Sequence, residues 1–108
     1  MCLNELREKY LDSVIEFKYG ENILVLDKLV VVKEKRKLGI GTNIMEDLIA
    51  IADKNGYTIM LSPSDSLGAT SRARLIRFYK RFGFVRNFGK TKQYHMPNYS
   101  MYRFPKTN

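Results

Sequence analysis

The run Ile23–Val32, ILVLDKLVVV, most limits what this chain can fold into. It is crowded with β-branched and leucine side chains, too short and too rich in valine for a comfortable helix. It reads as a central strand, buried on both faces near its end. The next residues, KEKRK, are charged and must reach solvent. Gly39-Ile40-Gly41 then permits a tight backbone approach. Thr42 or Asn43 is placed to cap a helix running to about Lys54, with Ile44, Met45, Leu48, Ile49, Ile51 and Ala52 on its apolar face. Asn55-Gly56 closes that helix, Gly56 suiting the left-handed position. Tyr57–Leu61, YTIML, reads as a second buried strand. Strand, helix and strand in this order predict a right-handed crossover between parallel strands.

The flanks complete an α/β pattern. Within residues 1–12, Leu3, Leu6 and Tyr10 keep helical spacing, and from Ser13 onward Val14, Glu16 and Lys18 alternate with Ile15, Phe17 and Tyr19 as in a strand. Tyr19-Gly20-Glu21-Asn22 reads as a hairpin turn. Downstream, residues 62–70 (SPSDSLGAT) are dense in turn formers. A helix is expected over Ser71–Phe82, with Leu75, Phe78, Tyr79 and Phe82 on its apolar stripe. Phe84-Val85 and Tyr99–Phe104 read as further strands.

At 108 residues the chain has the length of one domain, taken as 1–108, and at 44% hydrophobic and 28% charged residues it has the composition of a folded one. One cysteine, Cys2, rules out an internal disulfide, and with one histidine it makes no zinc site. No metal is expected. MCLNELREKY lacks the apolar run of a signal peptide, and no stretch approaches the ~20 apolar residues of a membrane span. The expectation is a cytoplasmic protein with no membrane partner.

The sharpest chemical feature is Arg36-Lys37-Leu38-Gly39-Ile40-Gly41 between the valine-rich strand and a helix. A strand that stops at such a turn exposes backbone N–H groups, and the helix adds its unpaired N–H groups and the positive end of its dipole. Together they form a nest suited to a pyrophosphate. A Gly-x-Gly turn alone is equally compatible with a sharp bend that binds nothing. Neither a Lys-Ser/Thr phosphate loop nor a three-glycine dinucleotide fingerprint is present.

Arg36-x-x-Gly39-x-Gly41 after a strand of Val and Ile resembles the acyl-CoA-binding motif of the GNAT acyltransferases. LIRFYKRFGF, Leu75–Phe84, resembles that family's second helix and following strand, with its recurring Phe-Tyr-x-x-x-Gly-Phe pattern. ADKNGYTIMLSPS and SMYRFP resemble a compact subgroup common in bacteria and their phages. The likeness spans about residues 23–105. It implies a GNAT-like fold: a mixed, mostly antiparallel sheet with a splayed parallel strand pair, flanked by helices, its N-terminal part abbreviated. It also implies N-acetyl transfer from acetyl-CoA to a primary amine by direct attack, without a metal.

The resemblance also distributes roles. Leu29, Val30, Val31 and Val32 fall where the backbone pairs with the pantetheine arm, through main-chain groups of Val30 and Val32. Arg36, Lys37, Leu38, Gly39, Ile40, Gly41 and Thr42 fall on the pyrophosphate turn. Tyr79 matches the tyrosine near the cofactor sulfur, a general acid for the departing thiolate; its place on the apolar stripe equally suits a plain core residue. Many members carry an asparagine about seven residues before that tyrosine. Here the position is Arg72, so Ser71 is assigned a hydroxyl contact, and Arg72 or Arg74 a phosphate. Many relatives place a glutamate on the strand leading into the motif, where this chain has Val25. Asp27, two residues on, is the candidate base. An acid amid VLDKLVVV is costly if buried alone, and pairing with a nearby Lys or Arg is the competing role. Asp65 and His95 are poorer candidates.

The formal net charge is +8. Lys33–Lys37, Arg72–Arg81 and Arg86–Lys92 carry most of it, and part suits the phosphates of the cofactor. An acidic protein or nucleic acid is the alternative partner for the remainder. A nucleic-acid module on helix 71–82 is disfavoured, because its aromatics sit on the core stripe and are not interleaved on an exposed platform. A catalytically silent acyl-CoA-binding domain is the third reading. The short N-terminal region predicts an open acceptor pocket, or one completed by a second copy in a homodimer.

Overall fold

The computed structural model describes residues 2–31, 38–63, 71–93 and 99–106. Helix α1 (Leu3–Lys9) leads into β1 (Val14–Gly20) and β2 (Ile23–Val30). Helix α2 (Ile40–Asn55) follows, then β3 (Thr58–Leu61), α3 (Arg72–Lys80), β4 (Val85–Arg86) and β5 (Met101–Arg103). A 3-10 turn, Gly89–Thr91, which the sequence reading did not anticipate, sits between the last two strands.

The five strands lie in the order β1-β2-β3-β5-β4. Only β2 and β3 run parallel; the other three pairings are antiparallel. The mixed sheet expected from the sequence is therefore present, with the parallel pair made by the crossover through α2.

Alternation along the strands sorts the side chains into two layers. Leu24 and Leu26 of β2, Ile59 and Leu61 of β3, and Met101 of β5 join one buried cluster with residues of all three helices. Leu6, Ile44, Met45 and Leu48 in that cluster are fully buried. The other face holds a small cluster of Val25, Met60 and Tyr102, with Tyr99 packed against it.

Arg103 is the one charged side chain buried among the described residues. Its guanidinium grips Asp53 of α2 at 2.7 and 3.2 Å, and its Nε donates to the Phe82 carbonyl at 2.9 Å. This ties β5 to α2 and to the end of α3. Near the other end, Tyr10 Oη donates to Asp47 at 2.6 Å and Lys9 pairs with the same carboxylate at 3.0 Å, which anchors α1 to α2.

Several boundaries differ from the sequence expectation. Strand β2 ends at Val30, not Val32, and its burial is the reverse of that expected: Leu24–Leu26 are buried, whereas Lys28–Val30 are only partly so. The reason is β3, which is four residues long and covers only the first half of β2. Helix α2 starts at Ile40, so Thr42 and Asn43 lie within its first turn and Gly39 is the cap residue. A left-handed Gly39 (φ 74°) turns the chain into the helix earlier than a side-chain cap would. Helix α3 stops at Lys80, and Gly83 (φ 91°) follows in the bend. Strand β4 begins one residue later than expected, at Val85, and β5 is shorter than expected, running from Met101 to Arg103.

Candidate functional site

The site is built on the uneven pairing of β2. On one side, β1 accompanies it along its whole length, Gly20 opposite Ile23 and Val14 opposite Val30. On the other, β3 pairs only from Ile23↔Thr58 to Leu26↔Leu61. From Asp27 to Val30 the β3-facing edge of β2 has no ladder partner among the described residues. Backbone donors and acceptors on such an edge are available to an extended ligand.

A β-bulge marks the place where the strands part. Phe17 pairs with Leu26 and Glu16 with Lys28, so Asp27 is an extra residue with no partner on β1. The bulge shifts the alternation by one residue. Leu29 and Val31 thereby continue the core side begun by Leu24 and Leu26.

The glycine turn lies beyond that splayed edge. Val32, Arg36 and Lys37 fall outside the described residues, so the assignment of the turn is visible from Leu38 onward. Leu38 is exposed, Ile40 is packed against the core, and Thr42 is half-buried. Gly39 offers no side-chain cap to the helix, and α2 has no acidic residue in its first turn. The amide of Asn43 bonds to the Gly39 carbonyl at 3.1 Å, and the amides before it have no acceptor among the described residues. They are the open end of a 16-residue helix, with the dipole's positive pole.

Gly41 joins this turn to α3. A Cβ placed on it would lie 3.6 Å from Phe78 Cζ and 3.8 Å from Val31 Cγ2. The structure therefore brings the end of β2, the first turn of α2 and the middle of α3 to one point. Phe78 was read from the sequence as a core residue of the Phe-Tyr pattern. That it is the residue meeting the glycine turn depends on a helix crossing that periodicity does not encode.

In α3, Ser71 is the N-cap, its Oγ accepting from the Arg74 amide at 3.2 Å. The Ser71 hydroxyl thus has a structural task, and its proton is left to donate. Arg74 is exposed and lines a surface depression with Arg77, Phe78, Lys80 and Arg81.

Tyr79 is 7% exposed. Its ring stands edge-on to Phe78 (5.2 Å) and Phe84 (5.8 Å). Burial pushes its phenol up to about 12. The hydroxyl has no hydrogen-bond partner among the described residues, and none of the polar side-chain atoms buried there lacks one. A phenol so placed keeps its proton through the neutral range.

Asp27 lies at the surface, its side chain 36% exposed, with Lys18 Nζ 3.7 Å away. The burial that would make it costly is absent, and the expected pairing with a nearby lysine is present. No cluster of His, Cys, Asp or Glu suited to a metal occurs among the described residues, and none of their helices is long and apolar enough to cross a membrane.

These features define an α/β domain whose central parallel pair opens at a glycine turn on a helix N-terminus. Solved structures share that fold. Ard1 from Thermoplasma volcanium superposes with a TM-score of 0.58 at 16% identity, over 97% of this chain and 78% of that one. A GNAT-family acetyltransferase from Staphylococcus aureus Mu50 gives 0.62 at 24% identity, over 88% and 60%. Arabidopsis thaliana Naa50, in complex with the bisubstrate analogue CoA-Ac-MVNAL, gives 0.50 at 19%, over 84% and 62%. The chain thus spans less than two thirds of the length of the last two. No curated protein sequence matches it at a significant level. The family model of the acetyltransferase (GNAT) domain matches residues 6–86. The chain belongs to the GNAT acetyltransferase family.

Proposed function

We propose that residues 1–108 form a single N-acetyltransferase domain that takes its acetyl group from acetyl-CoA and passes it to a primary amine. The observation that carries this reading is the meeting of Gly41, Val31 and Phe78 where β2 leaves β3. There a helix N-terminus and a strand edge, whose amides lack partners among the described residues, come close together, which suits a ligand having an anionic diphosphate and an extended amide-bearing arm. The bound thioester supplies an activated acyl carbon.

The chain's own groups do the rest. Amides opening α2, from Gly39 to Thr42, hold the diphosphate, with Arg36, Lys37 and Arg74 supplying counter-charge. The backbone of Leu29–Val32 aligns the arm, and an N–H near Val30 polarises the acyl carbonyl. Tyr79 donates its proton to the leaving sulfur. Asp27, exposed at the surface, receives the proton from the amine, directly or through water.

The competing role for Tyr79 is a core residue only; in favour of the acid role, its hydroxyl has no hydrogen-bond partner among the described residues and so keeps its proton free to donate. Calorimetric titration with acetyl-CoA, followed by a CoA-release assay on a panel of amines, tests the whole reading. Absence of heat from acetyl-CoA would remove it; heat without turnover on any amine would leave a binding domain. A homodimer that completes the acceptor pocket is part of the same reading, and a monomer mass in sedimentation at assay concentration refutes that part.

A further inference from the structure

Every acidic residue in the sequence lies at or before Asp65; from Ser66 onward the chain carries none. The structure gathers five of the basic residues of that second part, Arg74, Arg77, Lys80, Arg81 and Arg86, around two neighbouring depressions. Arg74, Arg77 and Arg81 recur at helical spacing along the outside of α3 and line one depression with Phe78 and Lys80. Lys80 also lines the next depression, with Phe84, Arg86, Phe88 and Thr91. The ion pairs formed among the described residues engage Lys9, Lys18 and Arg103, not these side chains. Like charges three and four residues apart weaken a helix, so an arginine row without acidic relief points to an anionic partner.

Aromatic rings are set among these cations. The Arg81 guanidinium lies 5.3 Å from the centre of the Phe78 ring, and that of Arg86 lies 4.5 Å from the centre of Phe88. Phe88 is 58% exposed and belongs to neither core cluster. The loop that carries it is nonetheless tightly fixed. Thr91 Oγ1 donates to the carbonyls of Arg86 and Phe88, Asn87 Nδ2 donates to the Tyr99 carbonyl at 2.9 Å, and the Gln93 amide donates to Asn87 Oδ1 at 2.6 Å. The Tyr102 hydroxyl donates to the Thr91 carbonyl. Five bonds hold in place a ring that contributes nothing to the core, which is the arrangement of a preorganised contact.

We propose that the α3–β4 surface is a binding platform for single-stranded nucleic acid, with Phe88 stacking a base and Arg77, Lys80, Arg81 and Arg86 engaging the phosphates. A flat exposed ring with a guanidinium beside it, next to a row of further cations, matches bases joined by phosphodiesters better than an acidic polypeptide, which offers charge without flat rings. The cations assigned to the platform, Arg77, Lys80, Arg81 and Arg86, are not those assigned to the cofactor, although Arg74 and Phe78 border the same depression, and Phe88 lies outside the glycine turn.

The test is fluorescence anisotropy with labelled RNA and DNA oligonucleotides of about twelve nucleotides, in the presence and absence of saturating CoA. Binding is expected to both single strands, to weaken steeply between about 50 and 200 mM salt, and to survive CoA. Phe88→Ala should weaken it about ten-fold, as for loss of one stacked base. Phe88→Tyr should retain it. Arg77→Ala and Arg81→Ala should each lower the salt slope by roughly one phosphate's share. Phe88 is exposed, so its replacement leaves the fold intact, and circular dichroism verifies this. The proposal is overturned by no binding at low salt, by displacement with CoA, or by equal binding of Phe88→Ala. Tighter binding of a polyglutamate peptide than of either oligonucleotide overturns it as well.

Discussion

Arg103 and Asp53, fifty positions apart in the chain, meet in a two-point ion pair at 2.7 and 3.2 Å with the guanidinium 4% exposed. The backbone amide of Lys106 adds a third bond to the same carboxylate at 3.0 Å. Removing the acid strands a buried cation, so Asp53→Ala should lower stability by about 3 kcal/mol in urea unfolding. A loss below 1 kcal/mol would show that water reaches the guanidinium.

The same pair sets an acid limb. The hydrogen bond from Arg103 holds the Asp53 carboxyl below its usual 3.8. A group depressed on folding adds stability above its unfolded pKa and loses it as pH falls through the folded value. The stability gap between the parent and Asp53→Asn should therefore be constant above about pH 5 and shrink below 3.8. Asp47, lowered chiefly by its bond from Tyr10, acts in the same direction and is unaffected by this substitution. Unfolding curves from pH 2 to 7 give the comparison directly, and a gap independent of pH contradicts the assignment.

Tyr79→Phe should reduce kcat by about a hundred-fold with little change in Tm, because the hydroxyl makes no internal bond among the described residues. With its phenol pushed up to about 12, the acid form persists into alkaline solution. Any fall in rate between pH 7 and 10 then belongs to another group and should remain in whatever activity the variant keeps. Unchanged turnover would reduce Tyr79 to a packing residue.

The two glycines should separate folding from binding. Gly39→Ala places a side chain at φ 74° and should cost about 1 kcal/mol of stability. Gly41→Ala meets Phe78 and Val31 at ordinary contact distances and should fold as the parent does. Its added methyl group lies between Phe78 and Val31 in the first turn of α2, beside the proposed diphosphate site, so calorimetry should find acetyl-CoA affinity reduced about ten-fold. Equal affinity would put the diphosphate elsewhere.

Asp27→Asn should leave stability within about 0.5 kcal/mol, since a surface pair at 3.7 Å contributes little. Any loss of rate then reports on proton removal alone. A parent-like kcat/KM across pH 6 to 9 would take Asp27 out of the chemistry.

Periodicity and turn residues were enough to read the strand–helix–strand crossover, because apolar spacing and glycine placement are local quantities. The closing Gly56, left-handed at φ 71°, is where its sequence neighbours predict it. The bulge at Asp27 was illegible for the opposite reason: in an almost unbroken apolar run, a one-residue shift in pairing leaves no mark. The extent of β3, and with it the splayed edge of β2, depends on where a neighbouring strand stops. The Arg103–Asp53 and Gly41–Phe78 contacts join distant segments, and no pattern within either segment announces them. Tyr79 was singled out by its resemblance to a motif, but the burial of its ring emerges only from packing.

A strand paired along one flank and, among the described residues, without a partner along half the other is also a hazard. Uncapped rims of this kind recruit further strands from neighbouring molecules and seed aggregates. Whatever settles along Asp27–Val30 therefore also acts as a guard, and the protein should be least prone to clumping when its ligand is in place.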